Sequence, residues 1–314
     1  MVVNFVLSFL FLSVKEKEMI SLVQHTFKHL SSKRNNYFMN PKITNTEIAK
    51  LIKPRQADSY KGTYGHSLLI AGSKGKMGAA LIAAKACLRS GTGLLTVNIP
   101  FTERAILQTA LPEAMLMSNT AEIEWDKFTV IGIGPAMGTN AGSLLILKEV
   151  LGNYKKPLLI DADALTMLSQ NKKLWEKIPS GSILTPHIGE FDRMFGKSKT
   201  QDERMQKAVE FSEHYNWVIV LKNYETFVAF NGHAVLSTSG NAGLAKGGSG
   251  DMLSGMITAF LAQEYEPFTA AKIGVQLHGM AADIAIKKQS MESLLITDVI
   301  ECIGNAFYEL AGEK

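Results

Sequence analysis

Lys246-Gly247-Gly248-Ser249-Gly250-Asp251 sets three glycines and a carboxylate directly ahead of an apolar segment with helical spacing. A glycine turn at that point leaves several backbone N–H groups unpaired at the positive end of a helix. That is a ready site for a phosphate, or for the charge of a phosphoryl group in transfer. Asp251 would repel such a ligand if holding it were the whole task. It reads instead as a base that takes the proton of a substrate hydroxyl while Gly247, Gly248, Ser249 and Gly250 hold the phosphate. The other reading is a helix cap, a position aspartate favours, and spacing does not separate the two.

Three further groups carry chemistry. In Thr185-Pro186-His187-Ile188-Gly189-Glu190, His187 is placed to donate to a substrate oxygen or phosphate and Glu190 to hold a metal-bound water; an ordinary surface histidine is the alternative. Asp161-Ala162-Asp163 offers paired carboxylates that either coordinate Mg2+ or organise a strand end, with Asp163 read as the cap of the next helix. Lys222 to Thr226 could reach the phosphates or ribose of a nucleotide, or form a solvated turn. No CxxC pair, HExxH or serine elbow occurs, which disfavours zinc and acyl-enzyme chemistry.

The elements that must position these residues alternate. Short apolar runs at 67–71, 94–99, 129–134, 157–160, 182–184 and 217–221 are separated by helical patterns such as Met77 to Ser90. That rhythm predicts an α/β fold with a mostly parallel central sheet and helices on both faces. In such sheets ligands bind beyond the carboxyl ends of the strands, where the glycine-rich loops Gly72 to Gly78, Gly132 to Gly138 and Gly240 to Gly250 fall. Residues 226–230 and 233–238, joined by Asn231-Gly232, predict a hairpin. Helices are expected at 251–263, 267–288 and 297–310.

The chain has 314 residues, 46% of them hydrophobic, and a net charge of +4, with no basic run of the kind that binds nucleic acid. Cys87 and Cys302, both in stretches that read as helix, lack metal-ligand spacing and suit a reducing, cytoplasmic setting. The apolar stretch Val2 to Val14 is shorter than the roughly 20 residues that span a bilayer, so no stable membrane association is expected. Residues 1–40 read as an extension outside the fold and 41–314 as the domain.

These motifs together resemble the ADP/ATP-dependent NAD(P)H-hydrate dehydratases, of the ribokinase-like superfamily. The resemblance runs from about Ile43 to the carboxyl terminus. It rests on Lys61-Gly62-Thr63-Tyr64-Gly65-His66, Gly78-Ala79-Ala80, Gly132-Ile133-Gly134-Pro135, Asp161-Ala162-Asp163-Ala164-Leu165, Thr185-Pro186-His187 with Glu190, Lys222 with Thr226, and Asn241 to Asp251, in that order. A generic sugar kinase of the superfamily would not combine the Lys-Gly-Thr-Tyr-Gly and Thr-Pro-His elements.

The resemblance implies repair of a damaged cofactor: the S form of hydrated NADH or NADPH is dehydrated while ADP, or ATP, is consumed. Its substrate contacts map to Ala79, Gly134 to Gly138, His187 and Asp251. Its nucleotide contacts map to Lys222, Asn223, Tyr224, Glu225, Thr226 and Gly250. It implies Mg2+ bridging the phosphates, a homo-oligomer (a tetramer by family habit) and a separate NAD(P)H-hydrate epimerase, since no epimerase domain precedes the unit here. Ala136 stands where the family usually has glycine, and Asn223-Tyr224 where it commonly has Gly-Ala. The competing readings are a ribokinase-like small-molecule kinase and a non-catalytic dinucleotide-binding module.

Overall fold

The computed structural model describes residues 41–313, and the expected extension of residues 1–40 lies outside them. Among the described residues one sheet holds β1 His66–Ile70, β2 Leu94–Ile99, β3 Met115–Ser118, β4 Val130–Ile133, β5 Leu158–Ile160, β6 Ile183–Leu184, β7 Val218–Leu221, β8 Thr226–Phe230 and β9 His233–Ser237. The spatial order is β3-β2-β1-β4-β5-β6-β7-β8-β9. Pairing is parallel from β3 through β7 and antiparallel for the last three strands. In chain order the helices are α1 Asn45–Leu51, α2 Met77–Arg89, α3 Arg104–Ala110, α4 Ala141–Asn153, α5 Ala162–Gln170, α6 Ile188–Phe195, α7 Gln201–Tyr215, α8 Ser249–Ala262, α9 Pro267–Ala285, α10 Ile296–Glu301 and α11 Ile303–Gly312.

The central strands are apolar without alternation because both faces are covered. Leu68 and Leu69, neighbours in β1 that point to opposite faces, are both fully buried, as are Leu158 and Leu159 in β5. On one face α8 packs against α2 at close range. A side chain at Gly255 would collide with the carbonyl of Ala83, so the run of small residues in α2 is what lets the two helices meet. The hairpin turn forms as expected, with Asn231 at φ 48° and Gly232 at φ 80°.

Three expectations need correction. The edge strand β3 was not anticipated: its four residues, Met-Leu-Met-Ser, carry no β-branched side chain and pair on one side only, with β2. The helix expected at 297–310 is two helices, and Cys302 sits at the joint between them, buried, rather than within a helix. The helix expected from Asp251 begins two residues earlier, at Ser249.

The Lys61 to His66 motif lies at the amino ends of the strands. Gly93 N–H donates to the Tyr64 carbonyl, and Leu94 N–H to that of Gly65, joining the motif to β2. His66 Nε2 is 2.8 Å from the Thr96 hydroxyl, in a buried pair. The motif therefore braces the end of the sheet remote from the glycine loops, a structural duty that its sequence gave no means of telling from a ligand contact.

Candidate functional site

The carboxyl ends of β5 and β7 are tied by one buried ion pair. Lys222 Nζ donates to Asp161 Oδ1 at 2.9 Å, and the Ser254 hydroxyl of α8 donates to Asp161 Oδ2 at 2.5 Å. Asp161 is 1% exposed and both its oxygens are engaged, so it organises this edge of the sheet. Burial works against the Lys222 ammonium, but Asp161, Glu190 and the hydrogen bond to Asp161 outweigh it, raising its pKa above the usual lysine value. Lys222 is also fixed through its backbone, whose N–H donates to the Pro186 carbonyl at 2.9 Å.

Helix α8 starts beside this pair. Gly248 is its N-cap at φ 97°, a left-handed turn that suits glycine, and no side chain caps the helix. An atom at the β position of Gly250 would stand 3.2 Å from Lys222 Nζ, so the first turn of α8 comes directly against the ammonium. Asp251, third in the helix, is not the cap. Its carboxylate engages no hydrogen bond or ion pair among the described residues. Burial, then the negative charges of Asp161, Asp163 and Glu190, push its pKa up to about 6 against the pull of Lys222. A carboxylate in that range is ionised at neutral pH yet takes a proton far more readily than an ordinary aspartate.

The two upstream glycine loops are stitched to each other and to α5. Gly72 N–H donates to the Pro135 carbonyl at 2.7 Å, the Ser73 hydroxyl to the Ala136 carbonyl at 2.8 Å, and Gly138 N–H to Asp163 Oδ2 at 2.8 Å. Asp163 is therefore a cross-loop anchor and not the cap of α5. Gly134 fits against the backbone carbonyl of Asp161, where a side chain would collide. Ala79 is half-buried at the start of α2, the helix whose Ile82 lies against Gly248.

Ala136 adopts φ 51°, a left-handed conformation that favours glycine. An alanine there carries strain of about 1–2 kcal/mol, partly offset by the roughly 0.4–1 kcal/mol that a glycine adds to the entropy of the unfolded chain. Ala136→Gly is accordingly expected to raise the unfolding free energy by up to about 1 kcal/mol. Urea denaturation of the two proteins checks this, and a loss of stability would show that the methyl group packs usefully.

A cavity of about 710 Å3 has Lys222 in its wall. Its walls include Lys222, Asn223, Tyr224, Thr226, Ser249 and Gly250 of the expected nucleotide contacts, together with His187. Glu225, Gly247 and Gly248 are not among its walls, nor are Ala79, Gly134, Gly138 and Asp251. His187 caps α6: its Nδ1 accepts from Gly189 N–H at 3.0 Å and from Glu190 N–H at 3.3 Å. With Nδ1 accepting, the ring nitrogen left to donate is Nε2, which faces Glu190 Oε1. Both Glu190 oxygens face His187, one accepting its backbone N–H at 2.9 Å and the other 3.4 Å from Nε2.

Two residues of the site went unnoticed in the sequence. His278 lines the cavity, and its Nε2 donates to the Ser249 carbonyl at 3.1 Å; burial pushes its pKa down to about 4, so the ring is neutral. Asp283 accepts from Gly240 N–H and from the Asn241 amide, both at 2.9 Å. Both lie on α9, most of which is buried. A histidine and an aspartate on a helix that is otherwise largely apolar were the available signal.

A family model described as NAD(P)H-hydrate dehydratase matches residues 67–305. The chain belongs to that family. It is 36% identical over 265 residues to the bifunctional NAD(P)H-hydrate repair enzyme Nnr of Escherichia coli, a match covering 82% of this chain and 50% of that protein. It is 34% identical over 279 residues to the ADP-dependent (S)-NAD(P)H-hydrate dehydratase of Bacillus subtilis, covering 85% and 99%. The chain thus spans about half the length of the bifunctional relatives it matches. The crystal structure of ADP/ATP-dependent NAD(P)H-hydrate dehydratase from Bacillus subtilis, co-crystallized with ATP and Mg2+, superposes with a TM-score of 0.78 at 32% identity, covering 86% of this chain and 99% of that one. The ribokinase-like fold expected from the sequence is the one observed.

Proposed function

We propose that this chain dehydrates the S form of hydrated NADH or NADPH to the reduced dinucleotide, converting ADP to AMP and phosphate. The supporting observation is the junction at the start of α8. Lys222 and Gly250 line a cavity suited to a nucleotide, Asp163 anchors the stitched glycine loops, and Asp251, partly buried and without a hydrogen bond among the described residues, lies close enough to Lys222 and Asp163 to feel both charges. Hydroxide leaves poorly and phosphate leaves well, so phosphorylating the ring hydroxyl turns a slow dehydration into an easy elimination. Asp251 takes the hydroxyl proton, and the N–H groups of Gly247 to Gly250 stabilise the phosphoryl group in transfer. His187 turns from Glu190 to donate through Nε2 to the substrate, and the Asp163 anchor on Gly138 holds the second glycine loop in place for it.

Among the described residues no group of three or more histidine, cysteine, aspartate or glutamate side chains is placed to hold a metal ion; in this reading Glu190 would reach Mg2+ through water. When bound, Mg2+ would supply positive charge that offsets that of the nucleotide phosphates. No helix among the described residues is long and apolar enough to cross a membrane. The cytoplasm, where reduced dinucleotides are used, is the setting that suits this substrate. A separate epimerase that interconverts the R and S hydrates would complete the repair.

The test is to incubate the protein with hydrated NADH, Mg2+ and either ADP or ATP, following return of the near-ultraviolet absorbance of reduced nicotinamide. Recovery with a nucleotide is expected. No recovery with either removes the proposal, and release of a stable phosphorylated product would identify a kinase instead.

A further inference from the structure

Tyr224 is 84% exposed, the highest value among the exposed large hydrophobic side chains of the described residues, and yet it lines the 710 Å3 cavity. Its support is rigid. On one side Lys222 is pinned by Asp161 and by the Pro186 carbonyl; on the other, Thr226 opens β8 and pairs with Ser237. The ring thus stands on a short turn between β7 and β8 whose two ends are anchored.

The same cavity reaches Ser249 and Gly250, where α8 begins and where an anion is favoured. Leu244, Leu253 and Val275 give it an apolar wall. A ligand that fits has a phosphate at one end and a flat apolar group at the other, and a phenol ring at the cavity's edge offers that flat group a face to stack on.

We propose that the Tyr224 ring is a stacking platform for the base of the bound nucleotide and gives this site a preference for purine over pyrimidine nucleotides. The proposal rests on the nucleotide-dependent function set out above. Stacking on an aromatic side chain is strong enough that its removal weakens binding by about tenfold. The larger face of a purine gains more from it than that of a pyrimidine.

Calorimetric titration of wild type, Tyr224→Ala and Tyr224→Phe with ADP, UDP and inorganic pyrophosphate tests it. Tyr224→Ala should weaken ADP about tenfold, weaken UDP less and leave pyrophosphate unchanged, while Tyr224→Phe retains wild-type affinity for all three. In turnover, KM for ADP should rise with little change in kcat. Equal ADP affinity in wild type and Tyr224→Ala would overturn the proposal. So would an equal loss of ADP and pyrophosphate, which would mean that the ring shapes the loop, or a loss confined to the hydrated dinucleotide. If the wild type binds no nucleotide at all, the functional proposal fails and this one falls with it.

Discussion

Asp251→Asn should bind ADP as the parent does, lose turnover by about 10² or more, and melt no lower than the parent. The asparagine keeps the size and position of the side chain while removing its capacity to accept a proton. The wild-type rate should fall as pH drops through about 6, where Asp251 becomes protonated, and the residual rate of the variant should lack that limb. Stability moves the other way. The folded pKa of about 6 lies above the ordinary 3.8, so the folded chain holds this proton more tightly than the unfolded chain does. The group's contribution is therefore most favourable below about pH 4 and is lost as pH rises through 6. Asparagine stays neutral and escapes that loss, a gain of up to roughly 1–2 kcal/mol above pH 6 once partial exposure is allowed for. Single-turnover kinetics and thermal melts across pH check both halves. Unchanged turnover would show that Asp251 has no part in the proton transfer.

Lys222→Met should destabilise the protein by about 3 kcal/mol or more, because it strands Asp161, 1% exposed, without its counter-charge. The double variant with Asp161→Asn should recover more than half of that loss, since a neutral amide can still accept from Ser254. Urea denaturation of the two single variants and the double variant measures the coupling. A simple sum of the two losses would show that the pair is not a unit. Lys222 also restrains the Asp251 pKa, so its removal should move the pH midpoint of the rate above 6, toward alkaline values.

What the sequence disclosed and what it withheld follow from the range of the interactions. The glycine turn before α8, the Thr185 to Glu190 element and the Lys222 turn were legible because each is a local pattern at a strand end. Asp163 was misjudged because its partner, the Gly138 N–H, is 25 residues away, and only the folded chain distinguishes an anchor from a cap. His278 and Asp283 escaped for the same reason: each grips a loop through a helix that reads as core. The break at Cys302 was hidden because both flanking segments are amphipathic, so one continuous helix satisfied the pattern equally well.

The loop from Gly240 to Ser249 is tied down along its length. His278 and Asp283 of α9 hold its two ends, and Lys246 Nζ is secured between them by the carbonyls of Glu292 and Leu294, each at 2.6 Å. These tethers are made within the chain itself, which limits the chain entropy to be surrendered on association. Affinity at this wall should then track the quality of contact with the ligand, with almost none of it diverted to building the receptor.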